Sequence, residues 1–452
     1  MNRQEELRNE RVGILLLKYS IPAIVGMLVN ALYNIIDRMF VGKGVGELAL
    51  AGLGVTFPFM TIIMAFSMLV GIGGAALTSI KLGEDKREEA EHILGNSFVL
   101  MLIITAILTI LSFIFMEPLL YSFGASEDTI HFATDYTRII IFGLFGNTIG
   151  FSMSHAIRAQ GYPIISMISM LIGAITNIVL DAVFIYIFDM GIKGVAYATI
   201  IAQALSAIFV LAFIQSKKST LRIHLRYMKL SKKVVLGIFS IGMSPFAMQL
   251  AASVVTTISN RSLKNYGDDL AISAMSIISS VAMIFFMPIF GINQGSQPII
   301  GYNYGAKQYD RVKKALKLAV TAATTISVLG FIVVQLFPEF LISFFNDSPR
   351  LMDITNYGMR INLITFPIIG FQIVTSNYFQ AIGKAKISMF LSLSRQVIFL
   401  IPALLLLPPI FKLNGVWMAA PVADAIATIT TGLLIWREMR MLDRKYQLLF
   451  EN

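Results

Sequence analysis

The sequence has no cysteine in its 452 residues. That excludes disulfides, thiolate metal sites and cysteine nucleophiles. Charge is also scarce: 14% of residues are Asp, Glu, Lys or Arg, against about 25% in soluble domains. There are four histidines and no H-E-x-x-H pattern. A nucleophilic or metal-dependent enzyme would have few parts to work with, so the chain is read as not an enzyme. Apolar residues are abundant instead, 56% of the chain, with a mean hydropathy of +0.75. Apolar runs near 20 residues recur from end to end, and about 20 helical residues cross ~30 Å of hydrocarbon. The runs are too long and too even for the strands of an outer-membrane barrel.

Twelve spans are predicted, at about 15–41, 50–80, 92–116, 132–157, 163–188, 192–214, 234–262, 270–300, 316–337, 356–381, 386–407 and 415–436, each boundary good to ±2–4 residues. Lys and Arg are strongly sided. The two termini and alternate connectors hold 26 of the 36, the opposite loops hold 7, and Arg38, Arg138 and Arg395 fall within spans. The positive-inside rule therefore puts both termini in the cytoplasm. The net charge of +10 and the basic run from Lys217 to Lys233 follow from topology, and no nucleic-acid partner is expected.

The chain repeats itself at an offset near 222. Tyr19-Ser-Ile-Pro22 answers Gly242-Met-Ser-Pro245, and Ile35-Ile-Asp-Arg38 answers Ile258-Ser-Asn-Arg261. Ala159-Gln-Gly161 answers Ala381-Ile-Gly383, and Gly194-Val-Ala-Tyr-Ala198 answers Gly415-Val-Trp-Met-Ala419. Each half has an even number of spans, so both enter the membrane in the same sense. The expected domains are a six-helix lobe over 1–225 and a second over 226–452, related by an axis along the membrane normal.

Ionisable groups in hydrocarbon are expensive and so are functional candidates. Counting about 1.5 Å per residue from the outer ends of the spans, Asp37 lies roughly 9 Å deep, and Asp181 and Thr199 roughly 12 Å deep. Asn177 and Asp181 are i and i+4 and share a helix face. Asn30, Tyr33, Asn34 and Asp37 form one stripe of the first span, and Thr199, Gln203 and Ser206 one of the sixth. Asn30, Tyr33, Asn34, Asn147 and Gln203 are candidates for the wall of a substrate cavity. Two carboxylates with an amide and a hydroxyl are hard oxygen ligands, suited to Na⁺ or to a proton. Arg38 points about 100° away from Asp37, so an ion pair within the helix is awkward.

Arg395 and Asp424 both reach mid-membrane in the second half and are expected to form a structural ion pair. Gly71-Ile-Gly-Gly-Ala-Ala76 fits G-x-G-x-x-A but has no strand before it, so it predicts close helix packing. Gly143, Gly146 and Gly150 read the same way. Pro22, Pro245, Pro367, Pro402 and Pro421 are expected to bend or break helices.

These residues resemble the multidrug and toxic compound extrusion (MATE) family, bacterial multidrug branch, over essentially the whole chain. The resemblance rests on the double repeat of six helices, on Pro22 with Asp37 fifteen residues later, and on Asn177-Ile-Val-Leu-Asp181 followed by Thr199. Its most specific stretch is Gly291-Ile-Asn-Gln-Gly-Ser-Gln-Pro298 running into Gly301-Tyr-Asn-Tyr-Gly-Ala306. It implies a V-shaped pair of lobes in the plasma membrane of a bacterium, the inner membrane where there are two. It also implies export of bulky, often cationic compounds in exchange for inward Na⁺ or H⁺. The family's cation site in the N-terminal lobe falls on Asp37, Asn177, Asp181 and Thr199, and a proline linked to bending of the first helix falls on Pro22. A second acidic site known in another branch is not carried over, because the seventh and tenth spans offer Gln249, Asn260, Gln372 and Asn377 but no carboxylate. No cofactor is expected beyond the coupling ion. The expected partners are drug-like small molecules and membrane lipid, and a monomer is expected. The rival reading is a flippase for lipid-linked oligosaccharides or peptidoglycan precursors, which shares the superfamily fold. Such chains are typically longer, with a basic cavity.

Overall fold

The structure, a computed structural model, describes residues 3–267, 269–345 and 348–447. Every regular element among them is helical. The first half contains α1 (Arg3–Asn9), α2 (Val12–Gly44), α3 (Glu47–Gly83), α4 (Arg87–Ser122), α5 (Ile130–Ala159), α6 (Pro163–Tyr186) and α7 (Gly191–Gln215). The second contains α8 (Lys232–Gly267), α9 (Asp269–Gly305), α10 (Tyr309–Leu336), α11 (Pro338–Ser343), α12 (Pro349–Asn362), α13 (Phe366–Ala381), α14 (Ala385–Leu393), α15 (Ile401–Phe411) and α16 (Leu413–Gln447). A single 3₁₀ turn, Leu225–Tyr227, sits in the connector, and a π-helical segment, Ser394–Leu400, joins α14 to α15.

Among the described residues, eleven helices are long and apolar enough to cross a membrane. The pair α12 and α13, bent by 52° at its break, makes a twelfth. All twelve predicted spans are therefore present, six in each half. Several run past the hydrocarbon: α3 has 37 residues, about 55 Å at the helical rise. Large apolar side chains such as Ile14, Leu17, Ile21, Leu32 and Ile35 are exposed along α2. In a spanning helix that is the surface acyl chains cover.

Two prolines account for the irregular spans. Pro367 occupies the first turn of α13. Its ring disfavours helix in the residues before it, and the tenth span breaks over 363–365. Pro402 stands just after the π segment. It cannot donate to the carbonyl four residues back, and a widened turn relieves the clash with that carbonyl. Pro22, Pro245 and Pro421 lie inside helices that continue through them.

Contacts divide the chain into two compact units. One comprises 1–9 and 25–246, the other 10–24 and 247–452. The segment 10–24 groups with the second half, and 226–246 with the first. Of the three changes of unit along the chain, the two inside helices fall within two residues after a proline, Pro22 in α2 and Pro245 in α8. The prolines remove one hydrogen bond from each helix at those points.

In the first unit, α5 is central. A Cβ added at Gly71 of α3 would lie 3.0 Å from the Ser152 backbone of α5, and one at Gly146 of α5 3.0 Å from the Ala204 nitrogen of α7. Such approaches need glycine, in keeping with the packing role expected of these glycine runs. The connector folds onto this unit rather than hanging free. Asn96 of α4 donates through Nδ2 to the carbonyls of Tyr227 (3.0 Å) and Lys229 (3.3 Å), and its Oδ1 accepts from the Ser231 amide at 2.8 Å. Gln160 Oε1 accepts from the Ser219 hydroxyl and the Leu221 amide, both at 2.9 Å. The second unit has its own apolar core, with Trp417, Phe366 and Met359 fully buried at its centre.

Candidate functional site

Three helices bring polar side chains together within the first unit. Asp37 comes from α2, Asn177 and Asp181 from α6, and Thr199 from α7. Asp181 is 0% exposed and Asn177 2%. The apolar floor around them includes Val41, Ile140, Ile185 and Val195. Two residues four apart on α6 face the same way, which is why Asn177 and Asp181 reach the cluster together.

Asp37 and Asp181 come within hydrogen-bonding reach of each other. The Asn177 amide Nδ2 donates to Thr199 Oγ1 at 3.4 Å, and the Thr199 hydroxyl donates to the Val195 carbonyl at 2.9 Å. The Thr199 oxygen therefore still offers a lone pair to the site. Asp37 Oδ1, Asn177 Oδ1 and both carboxylate oxygens of Asp181 are buried without a hydrogen-bond partner. Buried acceptors without donors are costly, and two facing carboxylates repel. A positive charge, Na⁺ or a proton, between them answers both terms. Arg38 does not supply it. Its guanidinium lies 5.8 Å from the centroid of the Phe57 ring, and no ion pair with Asp37 forms among the described residues.

Tyr33 is close enough to Asp37 and Asp181 to feel both charges. Tyr136 of α5 was not singled out from the sequence, yet it is buried beside Thr199 and within electrostatic range of both carboxylates. The depth count could have found it, because Tyr136 is seven residues into the fourth span from Thr129, at the level of the other groups. Asn34 Nδ2 donates to the Asn30 carbonyl at 2.7 Å and to Asn30 Oδ1 at 3.2 Å, and both side chains are exposed. Asn147 and Gln203 are half-buried. Among the described residues no hydrogen bond joins either of them to the four-residue cluster. No group of three or more His, Cys, Asp or Glu that could hold a metal ion occurs among the described residues either. The cluster is of a different kind: two carboxylates completed by neutral oxygens.

In the second unit, Arg395 Nε donates to Asp424 Oδ1 at 2.6 Å, with Asp424 buried. Arg395 projects from the π segment that Pro402 imposes. Removing one partner of a buried ion pair strands a charge at a cost of about 3–5 kcal/mol, whereas replacing both by apolar residues is often neutral. Arg395→Met with Asp424→Leu should therefore keep most of the thermal stability and transport, and Arg395→Met alone should lose both. Thermal unfolding of detergent-solubilised protein reads the difference. A double variant as unstable as the single one would mean the pair has a role beyond packing.

A family model, MatE, matches residues 22–183 and again 245–405. The two matches begin at Pro22 and Pro245, which are paired positions of the internal repeat. Multidrug export protein MepA of Staphylococcus haemolyticus is 24% identical over 421 residues, 93% of this chain and 92% of that protein. The solved structure of DinF-BH, a MATE multidrug transporter, is 38% identical with a TM-score of 0.89, covering 95% of this chain and 96% of that one. An outward-facing MATE family transporter of the MOP superfamily is 24% identical, with a TM-score of 0.91 over 97% of this chain and 98% of that one.

Proposed function

The chain belongs to the MatE family, and from that premise we propose that it is an efflux antiporter that expels bulky, often cationic drug-like compounds in exchange for inward Na⁺ or H⁺. The observation that carries this reading is the pair of facing carboxylates, Asp37 and Asp181, with unpartnered oxygens in an apolar bundle. An export protein of this kind needs a site whose charge state changes as an ion arrives and leaves. Bound Na⁺ or a proton neutralises the pair, and its departure restores the repulsion. The two states then favour different arrangements of α2, the helix that carries Asp37, and a ligand shifts a conformational equilibrium only by such differential energy. Pro22 lies on the same helix, next to the point where α2 changes compact unit, and is the natural bend.

Na⁺ and H⁺ would compete for the same oxygens of Asp37, Asn177, Asp181 and Thr199. Asn30, Tyr33 and Asn34 continue the polar stripe of α2 away from Asp37 and suit contact with the exported compound, with Asn147 and Gln203 as further wall candidates. The protein acts as a plasma-membrane monomer without a cofactor, since one chain carries both six-span halves. A flippase of lipid-linked sugars would need cations facing the phosphates of its substrate, whereas the groups collected here are carboxylates.

Ethidium efflux from everted membrane vesicles, energised separately by a Na⁺ gradient and by a pH gradient, tests the proposal. At least one gradient should drive uptake into the vesicles, and the other ion should compete. Transport indifferent to both would sink the antiport reading. The orientation is checked alongside. Single cysteines at the exposed positions Lys217 and Lys307 should react only from the cytoplasm, and one at Glu127 only from outside.

A further inference from the structure

Ile429, Leu433, Trp436 and Arg440 follow each other along α16 at spacings of four, three and four residues, so they share one helix face. All four are exposed, the first three at 65%, 64% and 56%. Exposed isoleucine and leucine on a spanning helix face acyl chains. A tryptophan at the end of such a stripe marks the interface with the headgroups. Arg440, one turn further out, lies with its guanidinium 3.7 Å from the Trp436 ring centroid. Arg437, also exposed, is three residues before Arg440 and adds a second cation at the same level.

A third cation comes from α10. Near the N-terminus of that helix Lys313 pairs with Asp443, which lies near the C-terminus of α16. The two helices therefore run antiparallel here, in register at that pair. One turn deeper on each, Lys317 of α10 comes level with Arg440, and it is exposed. The acids nearby are already committed. Asp443 holds Lys313, and Glu438, 1% exposed, is turned inward to Lys384. No ion pair to Lys317, Arg437 or Arg440 occurs among the described residues.

Three uncompensated cations beside a boundary tryptophan, above an acyl-facing stripe, match a phosphodiester with net negative charge. A zwitterionic headgroup brings its own ammonium and would cancel the attraction. We propose that Lys317, Trp436, Arg437 and Arg440 hold the headgroup of an anionic phospholipid from the leaflet on the basic side of the membrane, with an acyl chain along Leu433 and Ile429. Each cation should raise the preference for the anionic lipid roughly fivefold, the factor for a basic residue near an anionic surface.

The chain supplies its own probe, because it has only two tryptophans. Trp417 is fully buried and Trp436 faces the lipid. In phosphatidylcholine vesicles holding the full-length protein, brominated phosphatidylglycerol should quench tryptophan emission well beyond its mole fraction, and brominated phosphatidylcholine only in proportion to it. The triple change Lys317→Gln, Arg437→Gln and Arg440→Gln should lower the preference on the order of a hundredfold, to that of random mixing. Arg437→Lys with Arg440→Lys keeps the charges and should keep the preference, and it reports if the triple variant has merely misfolded. Equal quenching by the two brominated lipids in the unaltered protein overturns the proposal. So does a triple variant that gel-filters normally and still prefers phosphatidylglycerol.

Discussion

Asp181→Asn and Asp37→Asn should each severely impair drug efflux while the protein still inserts and folds. Asparagine keeps the shape of the carboxyl and one of its oxygens but cannot hold a charge. Either substitution leaves a single carboxylate beside neutral groups, so the mutual repulsion on which the proposed ion coupling rests disappears. Energetic coupling between sites is typically 1–3 kcal/mol, so gradient-driven export should fall about 5- to 150-fold. Stability should move the other way or not at all, since two facing buried charges are relieved of their repulsion. Changes to the neutral members should be milder. Thr199→Val removes a lone-pair donor, and Tyr136→Phe removes a buried hydroxyl beside Thr199, yet neither touches the charge. Efflux normalised to membrane-inserted protein separates these cases. If both Asp→Asn variants export at normal rates, coupling lies elsewhere in the molecule.

The twelve spans are legible in the sequence because a bilayer imposes a length and a composition on every crossing helix. Depth along those spans is legible for the same reason, and residue counting alone brings Asp37, Asp181 and Thr199 to one level. What pattern does not carry is how a helix divides its contacts. Nothing in the apolar run of α2 shows that 10–24 packs with the second half and the rest with the first. The only trace is Pro22, matched by Pro245 in α8. Likewise Pro402 announces a disturbance, but not that it takes the form of a π segment carrying Arg395. Tyr136 is harder to read, because a tyrosine near a helix end has the pattern of an interface anchor, and only packing turns it toward Thr199.

Gly242→Ala should prevent the first unit from packing, although it adds one methyl group. The crossing of α3 and α8 leaves no room for it: a Cβ at Gly242 would sit 1.7 Å from the Leu69 carbonyl oxygen. At Gly73, on the opposite side of the crossing, a Cβ would lie 2.2 Å from the Ile238 carbonyl oxygen and 3.0 Å from the Gly242 nitrogen. The obstructing atoms are backbone in every case, so no rotamer change relieves the clash and the two helices must separate. Overpacking relieved by side chains costs about 1–3 kcal/mol. A shift of whole helices along a close crossing should exceed that range, a large share of the roughly 5–15 kcal/mol that holds a protein folded. Gly54→Ala, on α3 where a Cβ meets nothing within 4 Å, is the control. It should be neutral or slightly stabilising, because alanine is the better helix former by about 1 kcal/mol. Gel filtration of detergent extracts should show a monodisperse Gly54→Ala protein and an aggregated or absent Gly242→Ala one. Because 232–246 is the part of α8 that packs in the first unit, the damage should begin there, with early loss of amide-exchange protection in α3 and the start of α8. A Gly242→Ala protein as stable as Gly54→Ala would mean that α3 and α8 do not cross at this distance.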